Sequence, residues 1–225
     1  MMRPVTAGQM AEIDRRAQEE FAIPQERLME NAGKAAFDLL TRRYPRGGDG
    51  LFVVVCGKGN NGGDGLVLAR YLAEAGAGDL IVYAPGEDVM KPGAAKNNLT
   101  KVKDAGLDVR GLERFNDDAP ENAAVVIDAL FGTGFKGSVR QPYLDICFRI
   151  NALRADVYSL DVPSGLDSTT GDASEGCVRA DVTITFGLTK TGFFRMDGPA
   201  HCGRITVADI GFPSELLDQY VHGNS

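Results

Sequence analysis

The feature that most restricts the fold is a series of short, nearly unbroken apolar runs, each followed by a stretch with helical spacing. Leu51–Cys56 reads LFVVVC, and Ala123–Leu130 is apolar throughout except for Asp128. A strand covered on both faces reads this way, because neither side of it meets water. Leu80–Ala84, Val157–Val162, Val182–Phe186 and Arg204–Ile210 repeat the signal, with helices predicted over Gly65–Gly76, Lys91–Ala105 and Tyr143–Leu153. This β-α-β rhythm predicts a mostly parallel sheet with helices on both faces.

A helical prelude precedes the first strand. Thr6 and Gln9 have capping-box spacing, and Met10, Ile13 and Ala17 follow at helical intervals. Pro24 suits the start of a second helix, with Leu28, Ala32, Ala35, Ala36, Leu39 and Leu40 on its apolar side. Residues Pro45–Gly50 form a breaker cluster, and Pro213–Ser225 carry weak signals and are expected to fray. No repeat, linker or low-complexity stretch divides the chain, so one domain over residues 1–225 is expected, with its core over about 3–213.

Composition narrows the partners. Twenty-four Lys and Arg stand against 31 Asp and Glu, a net charge of -7. Nucleic acid and anionic membranes reward a basic face, so neither is expected as the main partner. No signal-peptide core or run of 18 apolar residues occurs, which makes a cytoplasmic location the expectation. Cys56, Cys147, Cys177 and Cys202 form no C-x-x-C and read as single thiols. With only His201 and His222 available, neither a zinc centre nor a Ser-His-Asp triad has its parts.

In a parallel sheet, ligands sit beyond the carboxyl ends of the strands, which directs attention to three loops. The first is Gly57-Lys58-Gly59-Asn60-Asn61-Gly62-Gly63-Asp64-Gly65, a G-x-G-x-x-G in strand-to-helix context. Its glycines would let backbone approach a ligand, and the following helix N-terminus offers N–H groups to an anion. Two amides and the Asp64 carboxylate are foreign to an ordinary dinucleotide fingerprint. Asp64 reads equally well as a helix cap.

The second loop runs Asp128-Ala129-Leu130-Phe131, then Gly132-Thr133-Gly134-Phe135-Lys136-Gly137-Ser138. Asp128, flanked by apolar residues, would be costly to desolvate without a partner. The three glycines suggest a second backbone cradle, where Lys136 either meets a phosphate or is simply solvated. The third, Asp161-Val162-Pro163-Ser164-Gly165-Leu166-Asp167, is not a nucleophile elbow, because position 162 is Val. Asp161 is either a ligand-facing acid or an Asx-turn residue. Together the loops supply carboxylates, an amide and a hydroxyl, an all-oxygen set suited to a hard cation.

These motifs resemble those of the NAD(P)H-hydrate epimerase family. The match rests on Val5-Thr6-Ala7-Gly8-Gln9-Met10, Leu28-Met29-Glu30-Asn31-Ala32-Gly33, Gly57 to Asp64, Asp128 to Gly137, Leu160 to Asp167, and Thr185-Phe186-Gly187-Leu188-Thr189-Lys190. The resemblance implies a Rossmann-like three-layer α/β/α sandwich and one bound potassium ion. It also implies exchange of the two C6 epimers of hydrated NADH or NADPH, a step in metabolite repair. Asn60, Asn61, Gly62, Gly63 and Asp64, with Gly132 to Ser138, would hold the substrate. Asn61, Asp128 and Ser164 would bind potassium, and Asp161 would meet the reacting ring. Many members of that family are fused to a dehydratase domain and this chain stops where the epimerase domain ends. The resemblance therefore implies either that it acts alone or that a separate dehydratase completes the repair.

In the hydrate, C6 carries a hydroxyl beside the ring nitrogen, whose lone pair can help expel it. Water returning to the other face inverts the centre, and one carboxyl, Asp161, would serve as both acid and base. Ring opening and reclosure is the alternative route. Two other readings compete: an NAD-dependent oxidoreductase with Glu87 or Asp88 on the ribose, and a non-catalytic nucleotide-binding or interaction domain. A homodimer and the choice between NADH and NADPH hydrates are left open by the sequence.

Overall fold

A computed structural model describes residues 3–44, 50–90 and 92–221. Helix α1 (Ala7–Glu19) opens on the expected capping box, with the Thr6 side chain accepting from Gln9 N–H and Gln9 reaching back to the Thr6 N–H. Helix α2 (Gln25–Arg43) follows, with Pro24 just ahead of it. Strand β1 (Leu51–Cys56), α3 (Asn60–Glu74), β2 (Asp79–Ala84), α4 (Ala94–Asp104) and β3 (Asp108–Gly111) form the first half. The second half comprises α5 (Phe115–Asp118), β4 (Ala123–Ala129), α6 (Tyr143–Ala152), β5 (Asp156–Leu160), β6 (Val182–Phe186), α7 (Gly198–His201), β7 (Arg204–Ala208) and α8 (Ser214–Val221).

The strands join one sheet in the order β3-β2-β1-β4-β5-β6-β7, and every pairing is parallel rather than most of them. One apolar cluster packs α1 to α4 against one sheet face through Ile13, Leu40, Leu68 and Leu99. A second cluster packs α6 on the opposite face through Ile146, Cys147 and Ile150. The result is the three-layer sandwich expected. The chain leaves β1 toward β2 and β3, then returns to β1's other side at β4. Loops leaving β1 and β4 therefore diverge and open a crevice between them.

The structure departs most from the sequence reading at α3, β3 and the C-terminal segment. Helix α3 begins at Asn60 rather than Gly65, because Gly62, Gly63 and Gly65 are needed for close packing despite their poor helix propensity. A Cβ on Gly62 would lie 1.9 Å from the Gly57 carbonyl oxygen, so only glycine lets the helix start pack against the end of β1. Strand β3 was missed: it is a charged edge strand, DVRG, paired only with β2. The tail does not simply fray. Helix α8 buries Leu216 in the main core, with Leu217 packed against it. Most of the breaker cluster (residues 45–49), Lys91 and residues 222–225 lie outside the described residues.

Candidate active site

A cavity of about 610 Å³ opens at the switch between β1 and β4. Its floor is the start of α3 and the loop after β4; its far wall is Met10, Asp14 and Leu28 of the helical prelude. Helix α3 has Gly59 at its N-cap and no side-chain cap, and Gly63 N–H makes the helix's first bond back to Gly59. The preceding N–H groups, those of Asn60, Asn61 and Gly62, have no partner within the helix and are suited to an anion.

Of the first loop, Asn60, Asn61 and Asp64 line the cavity, while Gly62 and Gly63 serve packing. A Cβ on Gly63 would strike Met29 at 2.5 Å. Asp64 does not cap the helix, because it sits a full turn beyond the N-cap. Burial, then the nearby Asp161 and Asp14 carboxylates, push its pKa well above the usual range. In the second loop, Gly132, Thr133, Gly134, Phe135 and Lys136 line the cavity; Gly137 and Ser138 are exposed and do not. Phe131 and Phe135 stack with ring centroids 5.3 Å apart, giving this side an aromatic shelf.

Asp161 stands just beyond β5 with φ +61°, a left-handed conformation unusual for a residue with a side chain. Its Oδ1 accepts from the Lys190 ammonium at 2.6 Å, and its Oδ2 from the Thr133 N–H at 2.8 Å and the Thr133 hydroxyl. Burial works to raise its pKa, but Lys190 and the Thr133 bonds outweigh burial and hold it below the usual carboxylate range. The group is therefore ionised at neutral pH, which suits a base. The acid half of the dual role expected of Asp161 lacks a resident proton.

Lys190 is fully buried and also donates to the Thr185 hydroxyl at 2.7 Å and the Phe186 carbonyl at 3.0 Å. It ended one of the motifs singled out in the sequence, but no role was assigned to it. Its signal was a lone cation a few residues behind a short β-branched and aromatic strand. Asp14 was missed altogether, although it lies one turn after Met10 on the same side of α1.

Beneath the cavity floor lies the oxygen cluster. Asp128 is fully buried, opposite Ser159 in the β4–β5 register. It accepts from Ser159 Oγ at 2.8 Å, Ser164 N–H at 2.8 Å, Ser164 Oγ at 2.5 Å and Leu130 N–H at 3.3 Å. Burial raises its pKa, and those hydrogen bonds only partly oppose the rise. Asn61 Nδ2 donates to the Phe131 carbonyl at 2.9 Å, while its buried Oδ1 has no hydrogen-bond partner. Phe131 N–H in turn donates to Ser164 Oγ at 2.9 Å, so Asn61, Phe131, Ser164 and Asp128 form one connected network. Among the described residues, a buried carboxylate without a cation partner and an amide oxygen without a hydrogen-bond partner fit a singly charged hard cation.

Residues 25–192 match the family model described as YjeF-related protein N-terminus, well over half of the chain. The chain belongs to this family. Among YjeF-related relatives, the NAD(P)H-hydrate epimerase of Rhodopirellula baltica is 35% identical, covering 96% of this chain and 88% of that protein. The NAD(P)H-hydrate epimerase of Elusimicrobium minutum is 34% identical over 97% of this chain and 100% of its own length. The bifunctional NAD(P)H-hydrate repair enzyme of Moorella thermoacetica is 38% identical, but the chain spans only 41% of it. The crystal structure of yeast ynu0 superposes with a TM-score of 0.79 at 23% identity, over 97% of this chain and 93% of that one, which supports the YjeF-related fold. Among the described residues no helix is long and apolar enough to cross a membrane.

Proposed function

We propose that this YjeF-related chain is an isomerase, an NAD(P)H-hydrate epimerase that interconverts the R and S forms of hydrated NADH and NADPH. The observation that carries the reading is the ionised Asp161, clamped by Lys190 and Thr133 at the mouth of an uncapped helix N-terminus. Full-length relatives that bear the epimerase name agree with it.

The dinucleotide's phosphates meet the free N–H groups at the start of α3 and the backbone of Gly132 to Lys136, with Lys136 adding charge. Gly137 and Ser138 close that loop from outside the cavity. The hydrated ring lies beside Asp161. The C6 hydroxyl takes a proton from a protonated carboxyl of the cavity and leaves as water, while the ring nitrogen's lone pair forms the C=N bond. Water re-enters on the opposite face and gives up its proton to Asp161. Lys190 keeps that carboxyl a base by favouring its charged form. A separate dehydratase that accepts one epimer would draw the equilibrium forward.

Potassium is the cation we assign to the oxygen cluster, held by Asn61, Asp128 and Ser164. When bound it supplies a counter-charge to Asp128 and stiffens the two loops that meet at Phe131. The oxidoreductase reading finds less support. Glu87 is engaged by Lys103 at 2.8 Å, and neither it nor Asp88 lines the cavity. A purely non-catalytic role leaves the clamped carboxylate without a purpose.

The test is chiral chromatography of purified R-hydrate with and without the protein. Equilibration to the S form faster than in buffer is expected. A rate equal to buffer alone overturns the proposal.

A further inference from the structure

Resting on the epimerase reading, we propose that Asp14 of α1 is a second catalytic carboxyl, the acid that protonates the departing hydroxyl while Asp161 serves as base. Three observations support this assignment. Asp14 lines the same cavity as Asp161 and Lys190, but from a separate element, the wall opposite the sheet. Its carboxyl makes no hydrogen bond or ion pair with any described residue, so no structural duty explains a half-buried acid there. Its position is also held relative to the base. Val5, just ahead of α1, bridges Lys190 directly, with Val5 N–H on the Thr189 carbonyl at 2.9 Å and Thr191 N–H on the Val5 carbonyl at 2.8 Å.

The electrostatics agree with the geometry. Burial, then the facing Asp161 carboxylate, raises the Asp14 pKa to about 6, with Lys190 opposing. Asp64 of α3 is the third carboxyl of the array, itself raised by burial and then by Asp161 and Asp14, and Lys58 and Lys136 also line the cavity. Two carboxyls pushed in opposite directions by one site divide naturally into an acid and a base. In the forward step the Asp14 proton passes to the C6 hydroxyl oxygen. The C6–O bond breaks with its electrons leaving on water, and the nitrogen lone pair forms C6=N. In the return step a water oxygen bonds C6 from the other face and the C=N pair goes back to nitrogen. The released proton goes to Asp161. Exchange with solvent then restores both carboxyls, so no net proton is consumed.

The experiment compares the pH dependence of epimerisation, corrected for buffer background, in the unmodified protein, Asp14→Asn and Asp14→Glu. For the unmodified protein kcat/KM should fall above pH ~6. Asp14→Asn should lower kcat about 10²–10⁴-fold with KM little changed and should abolish that limb. Asp14→Glu should recover part of the rate and restore a limb. Folding is followed in parallel by melting temperature. A carboxyl whose pKa is raised on folding loses stabilisation as pH climbs from its unfolded value through its folded one, so Asp14→Asn should melt no lower than the parent at pH 7. A stable Asp14→Asn protein with parental kcat and pH profile overturns this inference and leaves the epimerase reading intact. An inactive unmodified protein overturns both.

Discussion

At the scale of the residue, the site turns on one buried ion pair. Lys190 and Asp161 sit 2.6 Å apart, with side-chain exposures of 0% and 14%. Removing one member of such a pair leaves the other charge without compensation. Lys190→Met should therefore destabilise the fold by about 3–5 kcal/mol in denaturant titration. Adding Asp161→Asn to Lys190→Met should return much of that loss, whereas two independent sites would add their penalties. Asp161→Asn alone is nearly isosteric and removes the proton acceptor, but it also leaves the buried Lys190 ammonium unpaired. It should therefore lower the melting temperature, and its rate is read where the variant is folded. Its epimerisation rate above background should fall about 10²–10⁴-fold; turnover near the parental rate would remove Asp161 from the chemistry. Asp161 was legible in the sequence because an acid directly after an apolar strand is conspicuous. Its partner was not assigned, because a lysine 29 positions on gives no local sign of where its ammonium goes.

At the scale of the element, α3 shows how packing overrides local preference. Its first turn reads Asn-Asn-Gly-Gly, a poor helix former, and the sequence reading placed the helix start at Gly65. What drives the early start is contact: Gly62 on Gly57, Gly63 on Met29, and Gly65 against Ala129. Gly62→Ala should destabilise the protein by about 1–3 kcal/mol, because its methyl meets backbone rather than a side chain that can turn away. The same change should weaken anion binding at the helix start, measured as a rise in KM. Strands β1 and β4 were readable for the opposite reason. Both are buried on two faces, and their apolar runs have no competing interpretation. Edge strand β3 carries Asp108 and Arg110, which pair with each other at 2.7 Å, and looks like loop in composition.

At the scale of the whole molecule, the sheet order sets the cavity and the oxygen cluster couples its halves. Asn61 comes from the first half of the chain and Asp128 and Ser164 from the second, joined through Phe131. A cation bound there favours the native state by RT ln(1 + [L]/Kd), so melting temperature should climb with potassium more than with tetramethylammonium. Asp128→Ala should flatten that response, since it removes the buried negative charge. An undiminished response in the variant would place the ion elsewhere. The parallel architecture and the order of its loops were legible from the alternation of runs and helices. The far wall was not, because nothing in the N-terminal pattern says that α1 docks against strands made much later.

That docking has a consequence for how the protein comes off the ribosome. Ala7 N–H is held by the Thr169 hydroxyl, 162 positions downstream, and Val5 is held by the backbone on either side of Lys190. Helix α1, made before the other described elements, is thus among the last of them to find its place, after a long loop closure. Until the tunnel has released the chain past Thr191, the nascent protein can pair β1 with β2 and β4, yet it lacks both the wall bearing Asp14 and the cation beside Asp161. Catalytic competence therefore waits on residues as late in the chain as Thr191.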